Sequence, residues 1–93
     1  MATARSVHGI VRGRVQDVAY RASFRYHALE RGLVGWIRNL PDGTVEFLVQ
    51  GAPAPVQEMI DWAHTGPALA RVTQVVVDDR QSDPRLKSLV IRE

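Results

Sequence analysis

Val7, Val11 and Val15 stand on odd positions among polar or mixed neighbours, and within a few residues the apolar spacing changes to that of a helix, with Phe24 and Ala28 on one stripe and Leu29 beside them. A half-buried strand must therefore run through a short loop straight into a helix. The strand is expected over Ser6 to Val15 and the helix from about Arg21 to Arg31, with Gly32 suited to the left-handed position that ends a helix. The junction Val11-Arg12-Gly13-Arg14-Val15-Gln16-Asp17-Val18-Ala19-Tyr20-Arg21 is a place where an anion can bind. Backbone N–H groups of the loop and of the first helical turn lack partners there, and the helix dipole adds partial positive charge. Arg21 supplies a planar fork of donors suited to phosphate oxygens.

The remaining elements follow from the same periodicities. Val34 to Asn39 and Thr44 to Val49 read as two strands joined by Leu40-Pro41-Asp42-Gly43, in which Pro pre-sets the turn and Gly accepts positive φ. Pro55 opens a second helix whose Val56, Met59, Ile60 and Ala63 form one apolar face, and Gly66-Pro67 stops it. Val72 to Val77 is a β-branched strand, Asp78 to Pro84 a polar loop, and Leu86 to Ile91 a last short strand. This order, βαββαβ plus a short C-terminal strand, predicts an α+β, ferredoxin-like split βαβ sandwich: two helices on one face of a mostly antiparallel sheet. Fold alone leaves function open, because RNA binders and small-ligand sensors share it.

Ninety-three residues without an internal repeat or linker predict a single domain, 1–93. The chain has no cysteine, which removes disulfides, thiolate nucleophiles and cysteine metal sites together. No apolar run has the length of a membrane span, and Met1-Ala2-Thr3-Ala4-Arg5 lacks the hydrophobic stretch of a signal peptide. No membrane association and a cytoplasmic location are expected. Charge is lopsided: residues 1–38 carry seven arginines against Asp17 and Glu30, a balance of +5, whereas residues 39–93 carry −3. That distribution favours a small anion near the N-terminal half. Nucleic acid would ask for a broader basic surface with stacking aromatics, and Thr44-Val45-Glu46-Phe47-Leu48-Val49 offers one aromatic and an acid, so no nucleic acid partner is expected.

Two segments resemble the two signatures of the acylphosphatase family, enzymes that hydrolyse carboxyl-phosphate anhydrides. The first, aliphatic-x-Gly-x-Val-Gln-Gly-Val-x-Phe-Arg, is matched from Val11 to Arg21 except at Asp17, where glycine is expected, and mildly at Tyr20. In the second, Gly35, Trp36, Arg38, Asn39, Gly43, Val45 and Gly51 fall in place, with Ile37 slightly larger than usual. The resemblance runs from about Val7 to Arg92 and takes in Gly66-Pro67 and Ala70-Arg71-Val72.

It implies that Val15, Gln16, Asp17, Val18, Ala19 and Tyr20 offer backbone donors to a phosphate that Arg21 also grips, and that Asn39 holds the attacking water. A carboxylate leaving group needs no strong general acid, so positioning and charge stabilisation suffice. The chain has no Walker loop, no paired His ligands and no carboxylate cluster spaced for two magnesium ions, so a metal-independent hydrolase without a cofactor is expected. Its partners would be a small acyl phosphate and inorganic phosphate, and a monomer is expected.

Bland roles compete at several positions: a solvated helix-end arginine for Arg21, and a side chain bonding its own turn for Asn39. Arg38 is read as a solvated neighbour, His8, His27 and His64 as incidental, and Tyr20, Trp36 and Trp62 as packing residues. Asp17 bears most on function. A carboxylate roughly 6 Å from a phosphate charge would cost about 0.7 kcal/mol at water's dielectric and about 3 kcal/mol at an effective value of 20. The alternative to an active enzyme is therefore a catalytically weak, acylphosphatase-like anion-binding module.

Overall fold

Over residues 4–93, which the computed structural model describes, the chain forms β1 (Arg5–Arg14), α1 (Tyr20–Glu30), β2 (Val34–Asn39), β3 (Val45–Gly51), α2 (Pro53–Ala63), β4 (Arg71–Arg80) and β5 (Leu89–Arg92). The expectation of no signal stretch rests in part on Met1, Ala2 and Thr3, which lie outside the described residues. The strands form one sheet in the order β4-β1-β3-β2-β5. All neighbours are antiparallel except β2 and β5, which run parallel. This is the ferredoxin-like α+β arrangement, with β5 added at the edge beside β2.

Alternation decides which face the helices cover. Val7 and Val11 of β1, Ile37 of β2 and Val45, Phe47 and Val49 of β3 are all fully buried in one cluster with Phe24 and Ala28 of α1 and Val56, Met59 and Ala63 of α2. Register pairs Gly9 with Phe47, and a Cβ at Gly9 would lie 2.3 Å from the Phe47 ring, so the absent side chain is the space that ring fills. Phe24 meets Phe47 at 4.9 Å between centroids, locking α1 to the sheet centre.

The end of α1 follows its sequence signal. Gly32 takes φ 69, its N–H reaches the Leu29 carbonyl at 3.1 Å, and the Leu33 N–H reaches Ala28 at 3.0 Å, the paired bonds of a Schellman stop. Helix α2 begins at Pro53, two residues before the expected Pro55. N–H groups of a first helical turn have no intrahelical acceptor, so both prolines fit there, and Val56 makes the first bond, to Ala52 at 3.1 Å.

The C-terminal third departs most from expectation. Strand β4 continues through Asp78-Asp79-Arg80, expected as loop, because the ten-residue β1 offers Ser6, Val7 and His8 as ladder partners. Strand β5 starts at Leu89, later than the expected Leu86. The buried Gln50 amide holds the Asp83 backbone through bonds of 2.8 and 3.0 Å, and Leu86 closes a turn onto Asp83 at 3.2 Å.

Candidate active site

The site begins where β1 leaves the sheet. Its register against β4 shifts between Arg12 and Gly13, where φ is 121 and an added Cβ would lie 2.0 Å from the Arg71 carbonyl oxygen. Only glycine fits this bulge, which turns the chain into the loop ahead of α1. Within that loop Asp17 and Ala19 both adopt left-handed backbone, φ 61 and 63. Each such residue costs about 1–2 kcal/mol, and alternating conformations of this kind fold successive N–H groups toward one concavity.

Among the described residues, no N–H from Gln16 to Arg21 donates to a protein acceptor, and the first bond of α1 runs from Ser23 to Ala19 at 3.0 Å. Helix α1 has neither a side-chain cap nor an acidic residue in its first turn, so its positive end is open.

A pocket of about 160 Å³ is walled by Val15, Asp17, Ala19, Tyr20, Arg21 and Ala22, by Asn39 at the end of β2 and by Ile91 of β5. Arg21 has no carboxylate partner among the described residues, whereas Arg5, Arg31, Arg38, Arg80 and Arg85 are ion-paired. The Asn39 Oδ1 is buried without a protein partner. A buried acceptor in that state costs about 1–3 kcal/mol unless a bound group satisfies it.

Asn39 is left free because Asp42 secures the adjoining turn. The Asp42 carboxylate accepts from the Thr44 hydroxyl at 2.6 Å and the Thr44 N–H at 3.0 Å. These two bonds, the hydroxyl first, hold the Asp42 carboxyl below its ordinary range, with Arg12 adding to the effect. A second tie joins this turn to the loop: the Gln16 amide donates to the Leu40 carbonyl at 2.8 Å and to the Thr44 carbonyl at 2.9 Å.

Tyr20 forms part of the pocket wall. Its hydroxyl donates to the Ala63 carbonyl at 2.8 Å, its ring packs 5.3 Å from Trp62, and burial pushes the phenol well above its ordinary value.

A protein-family model described as Acylphosphatase matches residues 7–91. The chain belongs to the acylphosphatase family. It is 53% identical over 70 residues to the acylphosphatase of Thermococcus kodakarensis, covering 75% of this chain and 77% of the relative. It is 51% identical over 77 residues to that of Gloeobacter violaceus, covering 83% of each. The crystal structure of acylphosphatase from Bacillus subtilis superposes with a TM-score of 0.91 at 30% identity, covering 96% of this chain and 99% of that one. These likenesses make the chain an acylphosphatase hydrolase and favour that reading over a catalytically weak binding module. Among the described residues no helix is long and apolar enough to cross a membrane.

Against this acylphosphatase frame, the anticipated residues fall into two groups. Arg21, Asn39, Asp17, Ala19 and Tyr20 meet at one pocket, with Val15. Gln16 and Val18 are not among the residues that line it: Val18 is buried in the core, and the Gln16 side chain turns to the hairpin. Ile91 was not anticipated, although its alternation with the buried Leu89 on β5 marks the same sheet face.

Three residues outside the pocket have partners that the sequence did not reveal. His8 has partners: Glu46 Oε2 at 2.8 Å and Asp78 Oδ1 at 3.4 Å, because register places β3 and β4 on either side of it. Arg38 is ion-paired to Glu46 rather than merely solvated. Trp36 lies on the sheet face away from the helices, half-buried, with the Arg92 and Arg38 guanidiniums 4.9 and 5.6 Å from its ring. The Glu46 carboxyl is raised by partial desolvation, but hydrogen bonds from His8 and Arg38 outweigh that and hold it below its ordinary value.

Proposed function

We propose that this single domain hydrolyses small acyl phosphates by direct attack of a water held at Asn39 on a phosphoryl group seated in the loop Val15, Gln16, Asp17, Val18, Ala19 and Tyr20 and gripped by Arg21. One observation supports the reading: Arg21, without a carboxylate partner among the described residues, lines one pocket of about 160 Å³ together with Asn39 and with Val15, Asp17, Ala19 and Tyr20 of the loop, whose N–H groups from Gln16 to Arg21 have no protein acceptor. The donors match the three equatorial oxygens of a transferring phosphoryl group and are aimed before the substrate arrives. The Asn39 Oδ1 accepts one water hydrogen and so turns the water's lone pair toward phosphorus.

Attack forms a new P–O bond while the bond to the acyl oxygen breaks, and the carboxylate leaves with that electron pair. One proton of the water passes to a phosphoryl oxygen, so the products are the carboxylate and dihydrogen phosphate. Tyr20 takes no part in this transfer, since its hydroxyl is engaged by Ala63 and burial holds its proton. The reaction is proposed to need neither metal nor cofactor, and the protein to act as a cytoplasmic monomer without a nucleic acid partner.

The test is benzoyl phosphate hydrolysis in excess EDTA, beside Arg21→Ala as control for contaminating activity. Turnover that the control abolishes supports the reading; folded protein without turnover, or turnover that EDTA removes, contradicts it.

A further inference from the structure

Asp17 stands on the pocket wall with Arg21 and Asn39 and is exposed, whereas Val15 and Tyr20 of the same wall are buried. Its carboxylate has neither an ion pair nor a side-chain hydrogen bond among the described residues, unlike Asp42, Asp78, Asp79 and Asp83. Its left-handed backbone, φ 61, is fixed by the loop that aims the N–H groups. The carboxylate is thus an unpaired negative charge on a residue of the pocket wall.

We propose that Asp17 sets the substrate class, selecting acyl phosphates whose acyl part is neutral or cationic and rejecting those with a second anionic group. The inference rests on the acyl-phosphate reading above. Every substrate brings the same phosphoryl group, so repulsion between Asp17 and phosphate weakens all of them alike. What differs is the acyl part, which extends from the leaving oxygen toward the open side of the pocket, where Asp17 stands. A second carboxylate there meets an additional like charge. At a separation of roughly 8 Å the penalty corresponds to about 2-fold in kcat/KM at water's dielectric and about 30-fold at an effective value of 20.

Other charges near the mouth do not cancel this effect. Arg21 is committed to the phosphoryl group in the proposed mechanism, Arg12 faces Asp42, and Arg92 lies over the Trp36 ring. Arg14 is exposed at the end of β1, without an ion-pair partner among the described residues, and acts equally in every Asp17 variant.

The experiment compares kcat/KM for benzoyl phosphate and its 3-carboxylate analogue in the wild type and in Asp17→Asn, which keeps side-chain size and tolerates left-handed backbone. The substituent's effect on intrinsic reactivity is common to both proteins and cancels in the ratio. The expected result is a preference for benzoyl phosphate that Asp17→Asn reduces by about 2-fold to about 30-fold. In the wild type alone, 0.5 M salt should shrink the preference, because added ions screen an exposed charge. Equal loss of both activities in Asp17→Asn, leaving the ratio unchanged, would overturn selectivity and make Asp17 a participant in chemistry. Hydrolysis of neither substrate by the wild type would instead remove the functional reading on which the inference stands.

Discussion

The side-chain amide of Gln16 donates to the backbone carbonyl of Leu40 at 2.8 Å, joining the loop ahead of α1 to the hairpin turn that begins one residue after Asn39. Its second bond, to Thr44 at 2.9 Å, closes the same link from the other side of the turn. The two halves of the proposed site come from β1–α1 and from β2–β3, and this one amide spans them. Gln16→Ala should therefore lower kcat by about 10-fold to 100-fold, the scale of a misplacement near 1 Å, while inorganic phosphate inhibition changes little. Gln16→Glu should be at least as severe, since a carboxylate cannot donate to two carbonyls. Loss of thermal stability with kcat intact in both variants would reduce Gln16 to a structural tie.

Ala19 holds φ 63 with a Cβ in place, a conformation that strains an alanine. Ala19→Gly should stabilise the fold by about 1 kcal/mol, the strain relieved less the added freedom of the unfolded chain. That is a rise of roughly 4–8 °C in Tm for a domain of this size. Calorimetry checks it, and an unchanged or lower Tm would show that the loop bears no strain there.

Glu46 gives the fold a defined acid sensitivity. Its carboxyl is held below the usual 4.5 in the native state, so the unfolded chain binds the proton first. The associated stability is present above pH 4.5 and is lost as pH falls through the native value. Wild-type protein should thus lose Tm more steeply below pH 4.5 than Glu46→Gln. Parallel pH profiles would show that the His8–Glu46–Arg38 cluster adds no acid-labile stability.

Tyr20→Phe removes the hydroxyl bond to Ala63 and leaves that carbonyl unpaired. The expected cost is about 1–3 kcal/mol of stability, measured by denaturant unfolding, with turnover retained because no proton passes through the phenol. Loss of activity at full stability would place Tyr20 in the chemistry.

The sequence made legible what periodicity and turn chemistry encode. Val56, Met59, Ile60 and Ala63 repeat at helical spacing and are buried together, and Gly32 ends α1 as its backbone freedom allows. What escaped depends on partners far along the chain. Asp78, Asp79 and Arg80 are poor strand formers taken alone and join β4 because β1 is long enough to pair them. The partners of His8, which was read as incidental, escaped because Glu46 and Asp78 approach it through register rather than through sequence spacing. At the pocket, Arg21 and Asn39 were legible through the family motifs, and the left-handed backbone at Asp17 falls where the motif has glycine. Nothing in the composition marks Ala19 as left-handed, and no local rule points the Gln16 amide across to Leu40.

The division of labour between Arg21 and Asn39 is tested most directly by measuring, on Asn39→Ala, both kcat for benzoyl phosphate and the inhibition constant of inorganic phosphate. The account predicts that kcat falls by about 100-fold or more, as when a positioning contact at the reacting centre is removed, while phosphate inhibition stays near the wild-type value. Full activity in Asn39→Ala, or phosphate affinity lost together with kcat, would contradict it.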